Sequence, residues 1–160
     1  MITPQTKSDA QLKLEVESAL DWDPTVDAAQ VAVTVDDGVV TLLGRADSYA
    51  ARWAAEKAAR RVAGVRTVAQ NLTVHVPDEH KRTDADIAAA VNHALSWNVL
   101  VPRTVTAKVE HGSVTLEGHV HWAFQRDAAE LGVRYLKGVI AVFDDITVKA
   151  KSEHEEGAKR

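Results

Sequence analysis

The sequence predicts an α+β protein built from two αββαβ domains, each with two helices packed on one face of a three-stranded sheet. Three observations predict it. A run alternating apolar and polar residues about a Gly turn spans 33–44 and recurs over 107–118. Alternation of period two marks half-buried strands, and Asp37-Gly38 signals a hairpin because a type I′ turn needs φ > 0 at both central residues. Around each hairpin lie apolar residues at helical spacing, and each copy closes on Gly-Val and another alternating run, Gly64-Val65 and Gly138-Val139.

In chain order, Ser8 or Asp9 caps a first helix, since a short side-chain oxygen accepts from the free N–H groups of the first turn. Leu12, Val16, Ala19 and Leu20 form its apolar stripe, and Pro24 ends it by pushing the preceding residue out of the α region. Val31, Val33 and Val35 face Val40 and Leu42 across the hairpin, while Ala32, Thr34, Thr41 and Leu43 take the other sheet face. Gly44 is expected to end the second strand and release the chain. Asp47 or Ser48 then caps an Ala-rich helix over 49–62, Gly64 stops it where the left-handed conformation is favoured, and 65–76 reads as the third strand.

Residues 77–82 form a short polar linker between domain 1 (8–76) and domain 2 (83–149), where the plan restarts. Thr83 or Asp84 caps a helix carrying Ile87, Val91, Ala94 and Leu95, and Trp97 answers Trp22. His111-Gly112 takes the turn and Gly118 the strand end; a helix over 122–136, Gly138 and a strand over 139–148 complete the copy. Ala54, Ala58 and Val62 correspond to Ala128, Gly132 and Leu136, and are expected to let the helix lie close on the sheet. The charged tail over 150–160 is expected to be disordered.

Composition narrows the function classes. The chain has 160 residues, 46% hydrophobic content, no Cys and a net charge of −4, so thiol chemistry is excluded and no basic excess points to nucleic acid. No apolar run approaches the roughly 18 residues of a membrane span. The N-terminus has neither the basic nor the apolar region of a secretory signal, so a cytoplasmic location is expected. No nucleophile elbow, acid–base pair or phosphate loop is present, and the expectation is a protein without catalytic residues or a cofactor.

Each half resembles the BON domain. In the first copy the resemblance rests on Val35, Asp37-Gly38, Val40-Thr41-Leu42, Gly44, Gly64-Val65, Val68, Asn71, Leu72 and Val74. In the second it rests on Val109, Gly112, Val114-Thr115-Leu116, Gly118, Gly138-Val139, Val142, Ile146 and Val148, with Asp145 where the first copy has Asn71. The resemblance implies αββαβ domains, as in osmotically inducible proteins and secretins, that bind phospholipid surfaces or protein partners rather than catalyse. A potassium-binding relative implies the alternative of an ion sensor using backbone carbonyls. The number of subunits stays open, a homo-oligomer included.

Candidate site residues follow from comparing the copies. Glu117, His119 and His121 alternate along one strand and offer carboxylate and imidazole ligands to a metal such as zinc. His111 at the turn cannot join them, and the first copy has Leu43, Arg45 and Asp47 there, so a solvated polar face is the expectation. Trp22 and Trp97 are expected to close the sheet end as core, the alternative being interfacial anchors. On the second helix, Trp53, Lys57 and Arg61 share a flank with Arg60 beside them. They read either as a solvated face or as a basic-aromatic patch for a membrane surface or protein partner. Their counterparts Leu131 and Tyr135 read as added core or, with Phe143 on the uncovered sheet face, as a surface on which the domains dock.

Overall fold

The computed structural model describes residues 7–149, and the expected disordered tail over 150–160 lies outside them. The chain divides into two units between Pro77 and Asp78. In the first, helix α1 (Asp9–Trp22) is followed by the hairpin of β1 (Val31–Asp36) and β2 (Val39–Ala46). Helix α2 (Tyr49–Arg61) leads to β3 (Thr67–Val74), and the sheet order is β1-β2-β3. β2 runs antiparallel to β1 and parallel to β3. The second unit repeats this with α3 (Asp84–Trp97), β4 (Thr106–Glu110), β5 (Ser113–Glu117), β6 (His119–Val120), α4 (Ala123–Arg134), β7 (Ala141–Asp144) and β8 (Thr147–Val148). The architecture is the α+β arrangement that the sequence predicts.

The helices form where side-chain oxygens satisfy their first amides. Ser8 accepts from the Gln11 amide at 3.1 Å, Ser48 from Ala51 at 3.1 Å and Thr83 from Asp86 at 3.1 Å. α1 buries Leu12, Val16 and Leu20 at i, i+4 and i+8. Val16 and Leu20 meet Val33, Val40 and Leu42 of the sheet and Ala55, Ala58 and Ala59 of α2 in one core. In the second unit Ile87, Val91, Val114, Leu116, Val120, Ala129 and Val133 are buried. Fully burying one Val or Leu side chain contributes about 1.5–3 kcal/mol, so these residues dominate the stability of each unit.

Three expectations need correction. β2 does not end at Gly44 but runs through it to Ala46. Gly44 has φ 119°, and a Cβ there would stand 2.1 Å from the Gln30 carbonyl oxygen, so close backbone approach is what requires glycine. The last strand is broken rather than continuous: Asp144 Oδ1 accepts from the Ile146 amide at 3.1 Å, a local turn that interrupts the run opposite Gly118. Finally, α4 buries Ala129 and Val133, leaving Ala128, Gly132 and Leu136 only half-buried, whereas Ala54 and Ala58 are core and Val62 is half-buried.

Candidate functional site

The hairpin turns are held by a device that recurs in both units. Ser8 and Thr83 do the helix capping, which frees the next residue in each copy. Asp9 accepts from the amides of Asp37 at 2.9 Å and Gly38 at 3.1 Å. Asp84 accepts from His111 at 2.8 Å and Gly112 at 2.9 Å. One carboxylate therefore bridges a helix start to a turn in which Asp37 and His111 both sit at φ 50°. The Gly112 and His111 amides hold the Asp84 carboxyl below the usual carboxylate range. Gly38, Gly64, Gly112 and Gly138 all have positive φ, as their turn and helix-end positions predict. The repeated Ser-Asp and Thr-Asp pairs carry the signal for this bridge, although on sequence alone the Asp reads only as an alternative cap.

Trp22 and Trp97 are not core. They are 84% and 76% exposed. Each lies two residues beyond the last stripe Leu, about 200° around a helix of 3.6 residues per turn, and so points away from the sheet. Trp97 stacks at a tilt on His93, with ring centroids 5.5 Å apart. Trp22 lines a groove of about 440 Å³ with Ala19, Asp23, Pro24, Ala58, Arg61 and Val62, at the C-terminal ends of α1 and α2, so one carboxylate shares the groove with the guanidinium. On the same helix the Lys57 ammonium lies 4.6 Å from the Trp53 ring centroid, a cation–π contact. Arg60 is drawn to Glu56, 3.6 Å away one turn back. The structure therefore joins Trp22 to Arg61, and Trp53 to Lys57, while Arg60 is partly neutralised.

The equivalent pair in the second unit is differently placed. Glu130 and Arg134 correspond to Glu56 and Arg60, yet Arg134 is only 8% exposed. Its guanidinium is bidentate, with Nε donating to Glu130 Oε1 at 3.2 Å and Nη2 to Oε2. Leu131, Tyr135 and Phe143 are exposed, so Leu131 and Tyr135 do not extend the core. Phe143 pairs with Thr115, which pairs with Lys108, and these three share the sheet face away from the helices.

Glu117, His119 and His121 are all exposed and do not converge. Gly118 breaks the strand between them at φ 111°, and His121 Nδ1 instead lies 3.0 Å from the Lys149 carbonyl. Among the described residues no group of three or more His, Cys, Asp or Glu is placed to hold a metal ion. Among them, too, no helix is long and apolar enough to cross a membrane.

Asp144 and Arg126 mark a polar spot beneath α4. Asp144 lies 3.9 Å from the Arg126 guanidinium, and burial pushes its carboxyl above the usual range. The first unit has Gln70 at the corresponding position. Its amide donates to the Arg52 carbonyl at 3.1 Å and accepts from Leu72 at 3.2 Å.

Comparison with known proteins matches the BON domain model over residues 8–75 and again over 83–150. The chain is 30% identical over 148 residues to osmotically-inducible protein Y of Escherichia coli (strain K12), covering 88% of this chain and 73% of that protein. Among solved structures it is similar to CdsD, a structural protein of the type III secretion system of Chlamydia trachomatis. There the TM-score is 0.42 and identity 11%, over 91% of this chain and 96% of that one. The C-terminal domain of CdsD is matched with a TM-score of 0.38 and 11% identity, over 89% of this chain and all (100%) of that one. With two tandem matches covering nearly all the described residues, the chain belongs to the BON domain family.

Proposed function

We propose that this is a non-enzymatic binding protein linked to osmotic stress, which attaches to an anionic phospholipid surface through the helix ends of its first domain. The stress link rests on the similarity to osmotically-inducible protein Y. The observation that carries the surface reading is the groove in which exposed Trp22 and Arg61 meet. An indole with an apolar body and a polar N–H favours the headgroup level, and a guanidinium beside it matches a phosphate. Lys57 on the Trp53 ring adds a second basic-aromatic element to the same helix. Each basic residue near an anionic surface contributes about 1 kcal/mol, so binding is modest and falls as salt rises.

The structure sharpens the choice of variant. Arg60 is already engaged by Glu56, so Arg61 is the better probe. Co-sedimentation with phosphatidylglycerol vesicles should retain the wild type, and Arg61→Glu with Trp22→Ser should lower retention about tenfold or more. Equal retention of variant and wild type would remove this surface from the function.

A further inference from the structure

The solvent side of α4 carries a second apolar stripe. Phe124, Ala128, Leu131 and Tyr135 recur at i, i+4, i+7 and i+11, within about 60° of one another around a helix of 3.6 residues per turn. Ala129 and Val133, which are buried, lie on the opposite side, so this stripe is no part of the core. Phe124, Leu131 and Tyr135 are 54%, 51% and 60% exposed. A large aromatic side chain carries about 150–250 Å² of surface, so the three present roughly 300–400 Å², a patch size that on a monomer is often functional.

Three observations bear on what covers it. The first is symmetry. The intervals of the stripe read the same in both directions, so an antiparallel copy of α4 sets Phe124 opposite Tyr135 and Ala128 opposite Leu131. Each apolar residue then meets another, small against large, in a contact that is its own mate. The second is Gly132. Glycine inside a helix is destabilising relative to Ala, yet Gly132 has no positive φ, and a Cβ there would meet nothing within 4 Å. Its own domain therefore gives no reason for a glycine. With Ala128 it makes a small pair one turn apart beside the stripe, which lets the axis of a second helix come close. The third is charge. α2 carries four basic residues against one acidic, whereas α4 carries two against two. Lys57 and Arg61 stand in α2 where α4 has Leu131 and Tyr135. A neutral apolar face does not attract anionic lipid and does not repel its own copy.

We propose that α4 is a self-association surface, through which two copies of the chain pair antiparallel about a two-fold axis. Two facing stripes bury roughly 600–800 Å², below the 1,200–2,000 Å² of stable complexes, so the dimer is weak and forms at high concentration. The surface uses no first-domain residue of the vesicle-binding reading, and either can fail without the other.

Sedimentation velocity of the intact chain should show a monomer–dimer equilibrium between about 10 µM and 1 mM, the weak range such an area implies. Leu131→Lys with Tyr135→Arg gives α4 the residues that α2 carries at these exposed positions. It should raise the dissociation constant about tenfold or more. Gly132→Gln should weaken dimerisation by a similar factor, yet melt at or above wild type in dilute solution, because Gln is the better helix former. The chain has no Cys, so an introduced one reports the orientation. Antiparallel pairing sets the two copies of residue 128 about 4.5 Å apart along the axis. Mild oxidation of Ala128→Cys should therefore yield a covalent dimer, while Thr34→Cys, exposed on the first sheet, stays monomeric. A wild type that stays monomeric across that range, or a dimer unchanged by both sets of α4 substitutions, overturns the proposal. Monomeric wild type whose retention on phosphatidylglycerol vesicles is lost with Leu131→Lys and Tyr135→Arg would assign the stripe to bilayer lipid and overturn it as well.

Discussion

Asp84 shows how a single side chain couples two segments that are far apart in sequence. Its carboxylate accepts two turn amides while sitting in the first turn of α3, so protonation removes charge-assisted bonds at both. Its folded pKa is depressed below the ordinary value of 3.8, so the folded state binds this proton less readily than the unfolded chain. The contribution is full above the ordinary range and is lost as pH falls through the depressed value. Asp144 has the opposite sign. Its raised pKa means that a desolvation cost present at neutral pH is relieved as pH falls through the raised folded value. Thermal melts of Asp84→Asn should therefore lie below wild type at pH 7 and converge with it in acid. Asp144→Asn should melt at or above wild type at pH 7, because an amide keeps the bond from Ile146 without the partly desolvated charge. Gly44→Ala should cost more than about 2 kcal/mol in urea unfolding, since the added methyl meets the Gln30 carbonyl. Sequence reasoning assigned that glycine to a strand end, because a contact with Gln30 is long-range and leaves no periodicity.

Among the elements, α2 and α4 carry the same i, i+4 Glu–Arg pair in two environments. Glu56–Arg60 is a surface pair and Glu130–Arg134 is nearly sequestered. Exposed pairs contribute about 0–1 kcal/mol, whereas removing one partner of a buried pair strands the other charge and costs about 3–5 kcal/mol. Arg134→Ala should thus unfold the second domain at markedly lower urea, with Arg60→Ala close to wild type; equal effects would contradict the difference in burial. Both pairs have identical spacing, so the sequence offered no means of ranking them. The helix stripes were legible, because Leu12, Val16 and Leu20 follow a period that only one face satisfies. Trp22 and Trp97 depart from the core expectation for a related reason: indole is apolar enough to read as core, but its angular offset from the stripe turns it to solvent.

For the whole molecule, duplication is the main source of information about function. Residues shared by the copies hold the hairpins, the caps and the sheet core. Residues that differ include those on outward faces: Trp53, Lys57 and Arg61 of the first domain stand where the second has Asp127, Leu131 and Tyr135. Vesicle retention through the first domain should weaken as ionic strength rises past about 0.1 M, where the screening length is about 10 Å. Retention that ignores salt would point to apolar insertion alone.

By itself the sequence determined the two αββαβ domains, their turns and their helix stripes, because alternation, helical spacing and turn chemistry are local and each is written out twice. It also named Trp22, Trp53, Lys57 and Arg61, on which the proposed surface rests. Only the tertiary structure decided that Asp9 and Asp84 bridge to the hairpins, that Trp22 meets Arg61 in one groove, and that Glu117, His119 and His121 stay apart. These depend on how elements distant along the chain come together. Local pattern carries no distance of that kind.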